Sequence, residues 1–171
     1  MLNAWRKRTE RKQLAERLCA DLGSRARAPV FFRGLGVPDT IDGRFDLLAL
    51  HAWLVLERLE LAGRRDLAQA VTDRLFTGFD EGLRDLGAGD MGMSRRMKKL
   101  GSAFYGRLEA YRDAADDAAL ASAIARNVFR GEAGHDEAAR LLALYAKMAR
   151  VHLSGADVAQ GDVEFGPLPN D

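Results

Sequence analysis

The sequence predicts an all-α fold, a single-domain bundle of about five or six helices, and three observations predict it. Apolar residues recur every three or four positions nearly everywhere after Phe45, the period of a helix that buries one face. The breaks between these runs are short and carry glycine, which favours antiparallel neighbours. The chain has 171 residues, 47% hydrophobic and 30% charged, enough for one sizeable core.

The organisation reads as a basic N-terminal helix over 1–28 followed by a helical body over 29–171. Arg6, Lys7, Arg8, Arg11, Lys12 and Arg17 make the first segment cationic. Leu14, Leu18 and Leu22 form one stripe, but Leu2 and Trp5 fall nearly opposite, so one continuous in-plane amphipathic helix fits poorly. A solvated or partner-facing arm is expected, with peripheral membrane contact as the alternative. The segment 29–43, with two Pro and three Gly, is expected to be irregular and to drape over the bundle.

A helix over 44–61 is expected to be the most buried. Phe45, Leu48, Ala52, Val55, Leu56 and Leu59 lie on one face, and Leu47, Leu50, Leu54 and Leu61 on another. A helix apolar on two sides belongs in the middle of a bundle. Asp42-Gly43 supplies its turn and N-cap, Gly63 ends it, and Asp66 caps the next. That helix carries Leu67, Val71, Leu75, Phe79, Leu83 and Leu86 and stops at Gly87-Ala88-Gly89. Met93, Met97, Leu100, Phe104, Leu108 and Tyr111 mark another long helix. Leu120, Ile124 and Val128 mark a shorter one closed by Gly131. Ala138, Leu141, Leu142, Tyr145, Ala149 and His152 mark the last, with Asp136 and Glu137 suited to the partial positive charge of its first turn. The tail from Gly155 is expected to be extended and docked by Val163 and Phe165.

Composition narrows the function. A formal net charge of +1 gives no global pull toward nucleic acid or anionic lipid, and no nucleic-acid partner is expected. No run of about 18 or more apolar residues suggests a membrane span. The lone Cys19 allows no internal disulfide and no cysteine-based zinc site, and reads as a small hydrophobe. His51, His135 and His152 show neither HxxxH nor ExxH spacing, so no metal and no cofactor is expected. His51, between Leu47 and Val55 one turn either side, reads first as a hydrogen-bonded core histidine and second as a partner contact. No serine sits in a GxSxG elbow. Gly34-Leu35-Gly36 and Gly87-Ala88-Gly89 lack the strand and the Lys-Ser/Thr of phosphate loops. Enzymatic activity is not expected.

Arg95, Arg96, Lys98 and Lys99 form a second basic cluster shortly after Asp80, Glu81, Asp85 and Asp90. Opposite signs in succession predict internal pairing across a helix–helix corner. Gly106, between Tyr105 and Arg107, costs helix stability of about 1 kcal/mol relative to Ala, which points to close backbone packing there or to an opening for a partner.

The Gly-, Arg-, Asp- and aromatic-rich patches arrange no nucleophile with a base. Phe31-Phe32-Arg33 and Gly36-Val37 lead into Asp39-Thr40, then Asp42-Gly43-Arg44-Phe45 and Leu50-His51. Asp73 and Phe76 follow, then Leu83-Arg84 with Gly87, Gly89 and Asp90, with Asp85 where glutamate is usual. Met97-Lys98-Lys99, Phe104-Tyr105-Gly106-Arg107 and Tyr111 complete the series. In this order the chain resembles the ubiquinol–cytochrome c chaperone family from about residue 31 to 111, and more loosely to 165.

The resemblance implies a helical, non-enzymatic assembly factor of the cytochrome bc1 complex, in which 29–171 is the chaperone domain. It implies newly made cytochrome b, or an early bc1 intermediate, as the client. Mitochondrial members also use a small partner protein and carry a long N-terminal region with an anchor, and no such region is expected here. A cytoplasmic protein, peripheral at the inner membrane, is the expectation. Polar and aromatic residues of the motifs are the candidate client contacts: Arg44, His51, Arg84, Asp90, Lys98, Lys99, Tyr105 and Arg107. The alternative is a small helical module binding a hydrophobic ligand such as quinone or haem in its core.

Overall fold

A computed structural model describes residues 2–87 and 89–169, without the side chains of Leu2 and Asp90. The elements are α1 (Leu2–Ala26), α2 (Pro29–Arg33), α3 (Ile41–Leu61), α4 (Arg65–Asp85), α5 (Asp90–Arg112), α6 (Asp117–Asn127) and α7 (Asp136–Gly155). A 3-10 turn, Val158–Gln160, follows, and no strand occurs among the described residues.

The helix α3 is the axis of the bundle. It packs against α1, α4, α5, α7 and the 3-10 turn, and Leu47 and every residue from Ala49 to Leu56 are buried. The two-sided apolar pattern is the cause, because it gives α3 a buried surface for neighbours on more than one side. Its start differs from expectation. Thr40 is the N-cap, its Oγ1 accepting from the Gly43 N–H at 3.1 Å, and Asp42-Gly43 already lies in the first turn. Gly43 is required by contact, because a Cβ there would overlap the Pro38 carbonyl oxygen.

The entry segment is more ordered than its composition suggested. Pro29 sits in the first turn of α2, where its fixed φ suits a helix and its missing N–H costs nothing, and Phe31 enters the core with no exposed surface. Asp66 does not cap α4. Arg64 holds the cap position, and Asp66 pairs with its Nε at 3.1 Å from inside the first turn. The helix α6 stops at Asn127, and Val128 caps it. Arg130, at φ 57°, is the single non-glycine residue with positive φ among those described, and Gly131 follows at 69°.

The stripe of α1 packs inward, with Leu18 and Leu22 buried, while its basic first turns stay exposed. The tail includes the 3-10 turn as well as extended chain, and Val158 and Phe165 are buried on the core. Burial fades toward the α4–α5 corner: Leu75 is buried, Phe79 and Leu83 are half-buried, and Leu86 is exposed.

Candidate functional site

The motif residues of α3 and α5 meet inside the molecule. Asp46 has no exposed surface, and its Oδ1 accepts from Arg107 Nε at 2.8 Å and Nη2 at 2.7 Å. Its other oxygen accepts from Arg130 Nη2 at 2.8 Å. Arg107 also donates to the Ala103 carbonyl at 2.9 Å and lies over the Phe45 ring at 5.1 Å. Burial pushes the Asp46 carboxyl above its usual range, and the two guanidiniums oppose that shift. The product is an ionic clamp joining α3, α5 and the α6–α7 connection.

Beside the clamp lies an aromatic cluster. Phe79 packs against Phe45, Phe76 and Phe104, with ring centroids 5.5–5.9 Å apart. Tyr105 stacks on Phe76 at 5.8 Å, with the rings 23° from parallel. Its outer side is free, and the residue is 54% exposed. Phe76 also explains a glycine: a Cβ at Gly101 would lie 3.2 Å from its ring edge. At Gly106 such an atom meets nothing within 4 Å. Of the two readings of Gly106, close packing is not found there but five residues earlier, and the space beside Gly106 is open.

Among the remaining candidates, Arg44 pairs with Asp39 at 2.7 Å and Arg84 with Asp80 at 2.9 Å, both near the surface. Lys98 and Lys99 are exposed. Among the described residues the corner pairing expected for the second basic cluster is not formed; Asp90, one of the acids expected in it, has its side chain outside them. Asp80 and Glu81 instead pair with Arg84 and Arg74 of their own helix, and Arg95, Arg96, Lys98 and Lys99 make no ion pair among the described residues.

His51 is wholly buried, which removes it from any docking surface of this conformation. Its Nδ1 faces the Leu47 carbonyl at 2.7 Å and its Nε2 the Tyr145 hydroxyl at 2.9 Å. A carbonyl only accepts, so Nδ1 carries the proton and Nε2 accepts from Tyr145. Arg25 Nε donates in turn to the Tyr145 oxygen at 2.9 Å. Both imidazole nitrogens are used, and Phe31, Tyr145 and Phe165 ring the side chain at 5.4–5.6 Å. Burial, with help from the nearby Arg25 charge, lowers its pKa to about 4.

Arg107, 9% exposed, is likewise an internal strut rather than a surface contact. Among the described residues no group of three His, Cys, Asp or Glu side chains could hold a metal. Cys19 is half-buried, its thiol directed at the Val71 carbonyl at 3.5 Å and its pKa pushed up to about 11 by burial. Clefts lie between helices at the surface, such as one of about 880 Å³ lined by Arg17, Asp21, His152, Asp162 and Glu164.

A family model described as "Ubiquinol-cytochrome C chaperone" matches residues 33–162, well over half the chain. The chain belongs to this family. A relative in Xenopus laevis, ubiquinol-cytochrome-c reductase complex assembly factor 1, is 23% identical over 146 residues, covering 81% of this chain and 73% of its own. The crystal structure of the Cbp3 homolog from Brucella abortus superposes with a TM-score of 0.83 at 34% identity, covering 97% of this chain and 96% of that one. The matched residues include both Asp46 and Arg107, the two halves of the clamp.

Asp46 was not among the residues the sequence singled out. The available signal was a lone carboxylate on the stripe shared with Leu50 and Trp53, where an unpaired charge is too costly to bury.

Proposed function

We propose that this chain is a non-enzymatic assembly chaperone that holds newly made cytochrome b, or an early cytochrome bc1 intermediate, until other subunits join. Family membership across residues 33–162 is the observation that carries this reading. The names of the relatives support it, since one is an assembly factor of the ubiquinol-cytochrome-c reductase complex. The side chains agree in kind. The polar motif residues brace helices or face outward; none pairs a nucleophile with a base.

The exposed members form the client surface in this reading. Arg44, Arg84 and Tyr105 are its anchors, since arginine and aromatic side chains dominate interface energetics. Asp90 is retained with them, and the exposed Lys98 and Lys99 lie beside this surface on α5. The protein works on the cytoplasmic side, beside the inner membrane; no helix among the described residues is long and apolar enough to cross one.

The test is deletion of the gene, followed by spectroscopic measurement of cytochrome b and assembled bc1 complex in membranes. Loss of both, restored by the intact gene, is expected. Normal levels in the deletion strain would refute the function. Normal levels in a folded Arg44→Glu/Tyr105→Asp variant would refute the surface.

A further inference from the structure

The first three turns of α5 carry four cations on one face. Taking about 100° per residue, Arg95, Lys99, Arg96 and Lys98 share an arc of about 160°, with Met91 and Ser102 in line with Arg95 and Lys99. All six are exposed. The opposite face is the one that packs: Met93 and Phe104 are buried, and Met97 and Leu100 are half-buried. None of the four cations has an ion-pair partner among the described residues, whereas Arg44, Arg84, Arg107 and Arg150 are all paired. The corner preceding them is apolar and open, with Leu86 62% exposed and Met91 fully exposed. Acids bound the patch: Asp85 lies exposed on the last turn of α4, Glu109 lies exposed one turn past Tyr105, and Asp90 opens the helix.

We propose that this face of α5, led by the Leu86/Met91 corner, docks the protein on an anionic lipid surface. Unpaired cations beside exposed aliphatic side chains match a bilayer interface, where the charges meet headgroup phosphates and the apolar tip enters the acyl boundary. A polynucleotide would use the cations but gives Leu86 and Met91 nothing to bury against, and the one exposed aromatic there, Tyr105, already stacks on Phe76. A membrane-protein client is a poorer match for this face, because loops on the cytoplasmic side of such proteins are themselves enriched in Lys and Arg. The inference rests on the proposed function only for what lies beside the membrane, and Lys98 and Lys99 then serve the bilayer rather than the client. The basic start of α1 is the competing site: Arg6 pairs with Glu10 at 3.3 Å and Arg11 with Asp66 at 3.6 Å, while Lys7, Arg8 and Lys12 make no ion pair among the described residues.

The test is flotation of the purified full chain with phosphatidylcholine vesicles, with and without phosphatidylglycerol, at low and physiological salt. Binding to the anionic vesicles alone, weakened by salt, is expected. Each cation near such a surface contributes about a fivefold factor to partitioning. The variant Arg95→Gln/Arg96→Gln/Lys98→Gln/Lys99→Gln, confirmed folded by its thermal melt, should therefore lose binding at least about tenfold. Leu86→Ser/Met91→Ser, with charge unchanged, should weaken binding to vesicles and leave retention on polyuridylate unchanged. Arg6→Gln/Lys7→Gln/Arg8→Gln should stay within about twofold of wild type. No binding to anionic vesicles, undiminished binding of the α5 variant, or an equal loss in the α1 variant would overturn the proposal. So would retention on polyuridylate at a salt concentration that abolishes vesicle binding. No client is present in the assay, so its failure leaves the assembly function standing, and a normal deletion strain leaves lipid docking standing.

Discussion

Arg107 on α5 reaches 61 positions back along the chain to Asp46 on α3, and the two groups meet with almost no water around them. A carboxylate placed there without a cation would be far costlier than an apolar residue of the same size, so the pair acts as one unit.

Removing one half of that unit is therefore expected to cost more than removing both. Arg107→Ala should destabilise the protein by about 3–5 kcal/mol, measured by urea unfolding. Asp46→Leu/Arg107→Met should recover much of this loss, leaving only Arg130 to resettle at the surface. Additive losses in the double variant would show that the two side chains are not coupled.

Acid should unfold the protein partly through His51. Its native pKa is near 4 and its unfolded value near 6.5, so the unfolded chain binds this proton first. Stability from the neutral ring is present above about pH 6.5 and disappears as pH falls to about 4, a loss of about 3 kcal/mol. In His51→Gln the slope of unfolding free energy against pH in this window should be lower by up to about 1.4 kcal/mol per pH unit. An unchanged slope would show that the ring is not held neutral.

Two glycines on neighbouring helices should respond oppositely to alanine. Gly106→Ala adds a methyl in open space on a helix and should stabilise by about 0.5–1 kcal/mol. Gly43→Ala drives a methyl into the Pro38 carbonyl and should cost about 2 kcal/mol or more. Thermal melts of the two proteins side by side suffice to check this.

Within α3, Leu54→Ala should cost about 2–5 kcal/mol, because the side chain is 1% exposed and its removal leaves a cavity. Leu48→Ala should cost clearly less, since Leu48 is only half-buried and water can fill the space. Equal losses in denaturant titrations would contradict the burial assigned to these positions.

The contrast between Leu54 and Leu48 shows what the sequence made legible. Periodicity identified α3 as central because both its faces are apolar, but could not say which flank is fully covered; that depends on how the neighbouring helices pack against it. The helices over 65–85, 90–112 and 136–155 were legible for the same reason, while α2 was hidden by the glycine and proline around it. Charge pairing was the least legible feature. Lys98 and Asp85 are close in sequence yet unpaired, whereas Asp46, Arg107 and Arg130 come from three regions that only the packed bundle unites.

Arg25 on α1 donates to the Gly166 carbonyl, and Phe165 lies beneath the same guanidinium at 5.9 Å. During synthesis α1 is made well before the segment around Phe165 and Gly166 that covers its end. Until residue 166 exists, Arg25 and the aromatic ring beside Tyr145 lack their cover. The native core is thus completed only once residue 166 has been made, and copies truncated before Phe165 are left with exposed apolar surface of the kind that aggregates or attracts proteases.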